Sequence, residues 1–145
     1  MKTNIRAITL AVSDLERSLR FYRDGLGLSS SGIIGTEFVR DTQHPGGSVA
    51  MFTLDNDLIL SLYSRIDLAM DAGIDLERVT GSPIGLGFFA DSREEVDHIL
   101  QRAEQAGGST IRPPVTRPWG IYAGYFADPD GHLWEAVYFL AGRPA

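Results

Sequence analysis

Glu135 is the residue of this 145-residue chain whose type and setting most clearly invite chemistry. It stands in the apolar run Leu133-Trp134-Glu135-Ala136-Val137-Tyr138-Phe139, just after Asp128-Pro129-Asp130-Gly131. A carboxylate inside a strand loses hydration on burial and must find a partner. Such a group suits two tasks: holding the amine or hydroxyl of a ligand, or taking a proton as a general base. The three histidines offer less. His44 lies in the Pro/Gly loop at residues 40–47 and reads as a solvated loop residue. His98 falls off the apolar stripe of a helix. His132 opens the last strand, but alternation turns it away from Glu135, so it reads as a turn residue.

The elements that must position Glu135 follow from the flanking residues. Pro129 pre-sets its own φ, an Asp caps its own turn, and Gly131 takes positive φ without penalty. With β-formers at 124–127 and 133–139, this predicts a hairpin. Near the start, residues 6–12 read as a strand. Ser13-Asp14-Leu15-Glu16 then reads as a capping box with Ser13 as N-cap. Leu15, Leu19 and Tyr22 share a helical face, and Gly25 and Gly27 end that helix. Residues 28–38 read as a ragged strand. The runs 48–54 and 58–64 flank Asp55-Asn56-Asp57 as a second hairpin. A short helix is expected at 66–73 and a connector at 74–83.

The pattern then restarts. Residues 84–90 read as a strand and Ser92-Arg93-Glu94-Glu95 as a second capping box. Val96, Ile99, Leu100 and Ala103 form an apolar stripe, while the charged run 93–97 is a solvated face. Gly107-Gly108 ends the helix, and strands follow at 109–112, 120–127 and 133–139. A β-α-β-β-β order written twice predicts two equivalent modules rather than a solenoid, which needs about three or more repeats. Module one spans about 4–65, the connector 66–82 and module two 83–140, within one domain covering 1–145.

Composition narrows the function classes. A net charge of −6 without a Lys/Arg cluster argues against a nucleic-acid partner. No apolar stretch approaches membrane-spanning length, and the start Met1-Lys2-Thr3-Asn4 leads to no signal peptide. The chain has no cysteine, which excludes disulfides and thiolate metal sites and suits the cytoplasm.

Ile8-Thr9-Leu10-Ala11-Val12-Ser13-Asp14-Leu15-Glu16-Arg17-Ser18, with Phe21-Tyr22 and Leu26-Gly27, resembles the first module of the vicinal oxygen chelate superfamily. That superfamily holds glyoxalase I, extradiol dioxygenases, fosfomycin-resistance enzymes and bleomycin-binding proteins. Gly124-Tyr125-Phe126-Ala127-Asp128-Pro129-Asp130-Gly131, ending in Glu135, resembles its C-terminal signature. The resemblance implies an α+β fold: two tandem βαβββ modules forming a curled eight-stranded cup with helices on the outer face. It also implies a homodimer.

Metal-dependent members bind a divalent ion through four positions, mostly His and Glu. Carried over by the resemblance, these are Ala7, Ser61, Gly85 and Glu135. Ala and Gly offer a metal nothing and a Ser hydroxyl is a poor ligand, whereas catalytic sites need roughly three protein ligands. The expectation is therefore no metal and no other cofactor. Small residues at Ala7, Thr9, Ala11, Gly85 and Gly87 leave space for an organic ligand. The expected activity is metal-free binding of a small apolar or aromatic molecule, as in the bleomycin-binding type. The alternative is a lyase, isomerase or dioxygenase that uses Glu135 as general base or as ligand to a divalent metal.

Further ligand contacts are expected from Thr9, Ser61, Tyr63 and Trp119. A turn pairing Ala127 with His132 adds Tyr122, Phe126 and Leu133 to the Glu135 face, and sends Tyr125 and Trp134 to the helix side.

Overall fold

The computed structural model describes residues 5–79 and 84–142. The chain forms two compact units, Met1–Thr80 and Gly81–Ala145. Each is a βαβββ module, so the architecture is α+β with two four-stranded mixed sheets. No helix among the described residues is long and apolar enough to cross a membrane.

In the first unit, β1 (Ala7–Val12) leads to α1 (Leu15–Leu19), which passes into a π-helical segment, Arg20–Gly25. Asp14, not Ser13, is the N-cap: its side chain accepts from the Arg17 amide at 3.0 Å. Ser13 instead takes the Arg17 guanidinium at 2.9 Å. The wider π turn sets the adjacent Phe21 and Tyr22 both inward, 1% and 0% exposed. The ragged strand reduces to β2 (Ile33–Ile34), because Gly32 and Gly35 on either side adopt positive φ. β3 (Val49–Thr53) and β4 (Ile59–Ser64) form the hairpin, and α2 (Arg65–Ala72) follows, closed by Gly73 in the left-handed region.

The strand order is β1-β4-β3-β2, with β1 parallel to β4. Leu10 and Val12 of β1, Leu60 and Leu62 of β4, and Ala50 and Phe52 of β3 are all buried. They share one face by register, and Phe52 meets Tyr22 with ring centroids 6.0 Å apart.

The second unit repeats the plan. β5 (Gly85–Phe89) precedes α3 (Arg93–Gln105), whose N-cap Ser92 accepts from the Glu95 amide at 3.0 Å. Glu95 reaches back past the N-cap and accepts from the amide of the preceding residue, Asp91, at 2.6 Å. β6 runs Ser109–Arg117, beyond the expected 109–112. Pro113 and Pro114 interrupt its register without ending it, as an outer strand of its sheet allows. Gly120 is a turn residue at φ 86°, so β7 starts at Ile121 and runs to Ala127. β8 is Leu133–Phe139, and the order is β5-β8-β7-β6.

α3 packs on the side of this sheet that carries Gly124, Phe126, Trp134 and Phe88. A Cβ added at Gly124 would lie 2.8 Å from Leu100 Cδ2, so the glycine is what lets the helix approach. Trp134 stacks on Phe88 at 4.7 Å and on Phe126 at 6.1 Å.

The β7–β8 register differs from the expected one. Ala127 pairs with Leu133, not His132. The Asp128 carboxylate accepts from the amides of Asp130 and His132, and the Asp128 amide donates to the His132 carbonyl at 3.0 Å. The turn thereby absorbs His132 and lengthens the connection by one residue. A one-residue slip exchanges the faces of a strand. Tyr125 therefore joins Glu135, and Tyr122 and Phe126 move to the helix side.

Candidate functional site

The second unit presents the richer surface, on the side of its sheet away from α3. One cross-strand row there reads Gly87, Glu135, Tyr125, Arg112, one residue from each strand. The next row reads Phe89, Val137, Ala123, Val115, and beyond it come Phe139, Ile121 and Arg117. A carboxylate, a phenol and a guanidinium thus lie in line beside an apolar strip. Ile121, Ala123 and Val137 are buried and Phe139 packs on them. Phe89 meets Phe139 edge-on at 4.9 Å while remaining 54% exposed.

Glu135 is partly buried and sits directly across from Tyr125. The Tyr125 phenol is pushed above its ordinary range, first by burial and then by the hydrogen bond and charge of Glu135. Arg117 and Arg112 pull it back. Gly87, on the other flank of Glu135, leaves the room a side chain would take. Among the described residues, a Cβ there would meet only the Glu135 carbonyl oxygen at 3.7 Å, and a Cβ at Gly85 would meet nothing within 4 Å.

The other residues singled out from the sequence fall in several places. Trp119 is at the β6–β7 hairpin tip, 68% exposed, with the Arg117 guanidinium 5.6 Å from its ring centre. Tyr122 is held on the helix side, donating to the Asp97 carboxylate at 2.6 Å under the Arg93 guanidinium. Phe126 is fully buried on that same side. In the first unit, Thr9 and Ser61 pair across β1 and β4 with their hydroxyls 2.8 Å apart. Tyr63 shares their face, and its hydroxyl donates to the Gly46 carbonyl at 2.6 Å. His44 is exposed, with Nδ1 3.2 Å from the Asp41 carboxylate. The sequence reading sends Tyr125 to the helix side and leaves Arg112 at a loop or strand end; the observed register brings both into the Glu135 row. The signal was alternation from Glu135, readable once the turn is given its fifth residue.

The four positions that the resemblance assigns to a divalent ion do not fit one. Ala7 and Gly85 carry no donor. The Ser61 hydroxyl is engaged with Thr9, and the Glu135 carboxylate with Tyr125. Among the described residues no three His, Cys, Asp or Glu side chains converge. Metal sites need more donors than one carboxylate.

A sequence model described as the Glyoxalase/Bleomycin resistance protein/Dioxygenase superfamily matches residues 4–136. Among solved structures, a glyoxalase-related enzyme from Fulvimarina pelagi is 28% identical with a TM-score of 0.77, covering 94% of this chain and 88% of that one. A glyoxalase/bleomycin resistance protein/dioxygenase from Nocardioides is 25% identical with a TM-score of 0.72, covering 100% and 89%. A fosfomycin resistance protein, FosX, from Listeria monocytogenes shares the fold at 21% identity and a TM-score of 0.65, covering 95% and 94%. With two βαβββ modules, and a family match across most of its length, the chain belongs to the glyoxalase/bleomycin resistance protein/dioxygenase superfamily.

Proposed function

We propose that this protein binds a small apolar or aromatic molecule on the second unit's sheet, without a metal. One observation carries the reading: the row Gly87, Glu135, Tyr125 lies beside the row Phe89, Val137, Ala123. A ligand's apolar body covers the second row, and a hydroxyl or ammonium group donates to Glu135. Burying about 100 Å² of apolar surface there contributes roughly 2–3 kcal/mol before the costs of association. Trp119 borders the apolar end, and Thr9, Ser61 and Tyr63 are the polar candidates of the first unit. Tyr122 and Phe126 drop out, since both face α3. The same reading has the protein in the cytoplasm as a homodimer. Its lack of cysteine suits a reducing compartment, and the dimer is an expectation of the family resemblance.

The test uses benzylamine and benzyl alcohol as probes on chelator-treated protein, followed by NMR. Both are expected to shift the amides of Gly87, Tyr125 and Glu135, with affinity reduced about tenfold in Glu135→Gln. Probes that perturb only other residues would overturn the reading.

One observation favours a second reading, a lyase, isomerase or dioxygenase of the superfamily. A carboxylate engaged with a phenol can hand a proton to and from a bound substrate. In that case Glu135→Gln abolishes turnover, and turnover that survived the change would refute it.

A further inference from the structure

Asp67 is a buried carboxylate of α2, 4% exposed, and it takes donors from both ends of one loop. Arg40 donates through Nε at 2.6 Å and Nη2 at 3.2 Å. The Gly46 amide donates at 2.8 Å. A Cβ at Gly46 would lie 3.1–3.2 Å from the carboxylate oxygens, so a bare glycine is what brings this amide so close. The carbonyl of the same Gly46 accepts the Tyr63 hydroxyl.

The segment between these anchors buries little. Asp41, Thr42, Gln43 and His44 are all exposed. Asp41 folds the segment on itself by accepting from the Gln43 and His44 amides, both at 2.7 Å. Such a turn holds its own shape but gives no grip on the sheet. The grip comes from Asp67 and Tyr63 at Gly46, from Arg40 at the other end, and from the Gly47–Phe38 backbone bond at 2.8 Å.

We propose that Asp67 is a latch and a positioning residue: it fastens the strap 40–46 and thereby fixes the Tyr63 hydroxyl on the face that carries Thr9 and Ser61. Tyr63 touches Gly46, Gly46 touches Asp67, and the strap transmits the state of one carboxylate to one phenol. The inference rests on the first unit alone and stands even if the ligand reading of the second unit fails.

The test is amide exchange and tyrosine NMR on the full chain, comparing wild type with Asp67→Asn and Arg40→Gln. Asp67→Asn is expected to cut protection of the Gly46 amide at least tenfold. It should also move the Tyr63 ring signals and lower the pH at which that phenol titrates, which burial and nearby acids now hold high. The Leu60 and Leu62 amides of the sheet should keep their protection. Arg40→Gln, at a half-exposed side chain, should loosen the strap less and leave the fold intact, so it decides the matter if Asp67→Asn fails to fold. An unchanged strap and Tyr63 signal in the variants that fold would overturn the proposal. So would loss of sheet protection in step with the strap, which marks a merely structural role.

Discussion

Three glycines of the second unit should respond to the same substitution with opposite signs. At Gly124, an added methyl meets Leu100 Cδ2 at 2.8 Å and, at 3.0 Å each, the Arg112 carbonyl oxygen and the Pro114 nitrogen. Two of these three atoms are backbone and cannot rotate away. Either α3 lifts or β6 moves, and overpacking of this kind costs about 1–3 kcal/mol. Among the described residues, the methyl at Gly85 meets nothing within 4 Å, and at Gly87 only ordinary contact at 3.7 Å. There the methyl removes the entropic penalty of glycine in a strand, a gain of roughly 0.5–1 kcal/mol per site. At roughly 3 °C per kcal/mol for a chain of this size, Gly124→Ala should lower Tm by about 3–9 °C. Gly85→Ala and Gly87→Ala together should raise it by roughly 3–6 °C. Calorimetry with urea unfolding as a cross-check reads both. A neutral Gly124→Ala would refute the packing of α3 on β7. A destabilised Gly87→Ala would refute the open surface beside Glu135, on which the ligand reading depends.

Two further outcomes follow from charge. Asp67 is held below the usual carboxylate range, chiefly by Arg40 and also by the Gly46 amide and Ser64, against the cost of burial. Its contribution is therefore full above the ordinary Asp range and is lost as pH falls through its lowered value. With Arg40 pairing it and Tyr63 and Asp71 nearby, wild type should lose more stability on acidification than Asp67→Asn, and equal acid curves would contradict this. In the second unit, Glu135→Gln should lower the pH at which the Tyr125 phenol titrates in ultraviolet difference spectra. No change would mean that the pair is not engaged.

The family and the doubled βαβββ plan were legible because they rest on local signals: glycine stops, capping residues and alternating apolar strands. Ser92 caps α3 as its sequence implies: it accepts from the amide of Glu95, three residues on, and the Glu95 carboxylate accepts from the Asp91 amide. At the first helix the same pattern misleads by one residue, because Asp14 competes with Ser13 and wins the Arg17 amide. Register was the harder quantity. Asp128 accepts two amides inside the turn, and that tertiary-independent but crowded hydrogen bonding adds a residue to the loop. The addition exchanged Tyr122 and Phe126 for Tyr125 on the Glu135 face. The Asp67 latch had no sequence signal at all, since its partners lie 27 and 21 residues away.

The most direct test of the central claim is the metal content per chain after gentle, chelator-free purification, followed by add-back of nickel, zinc, manganese and ferrous iron. Near-zero content with no binding on add-back is expected from Ala7, Ser61 and Gly85. Stoichiometric metal that disappears in Glu135→Gln would contradict the account and turn the second unit's carboxylate back into a metal ligand.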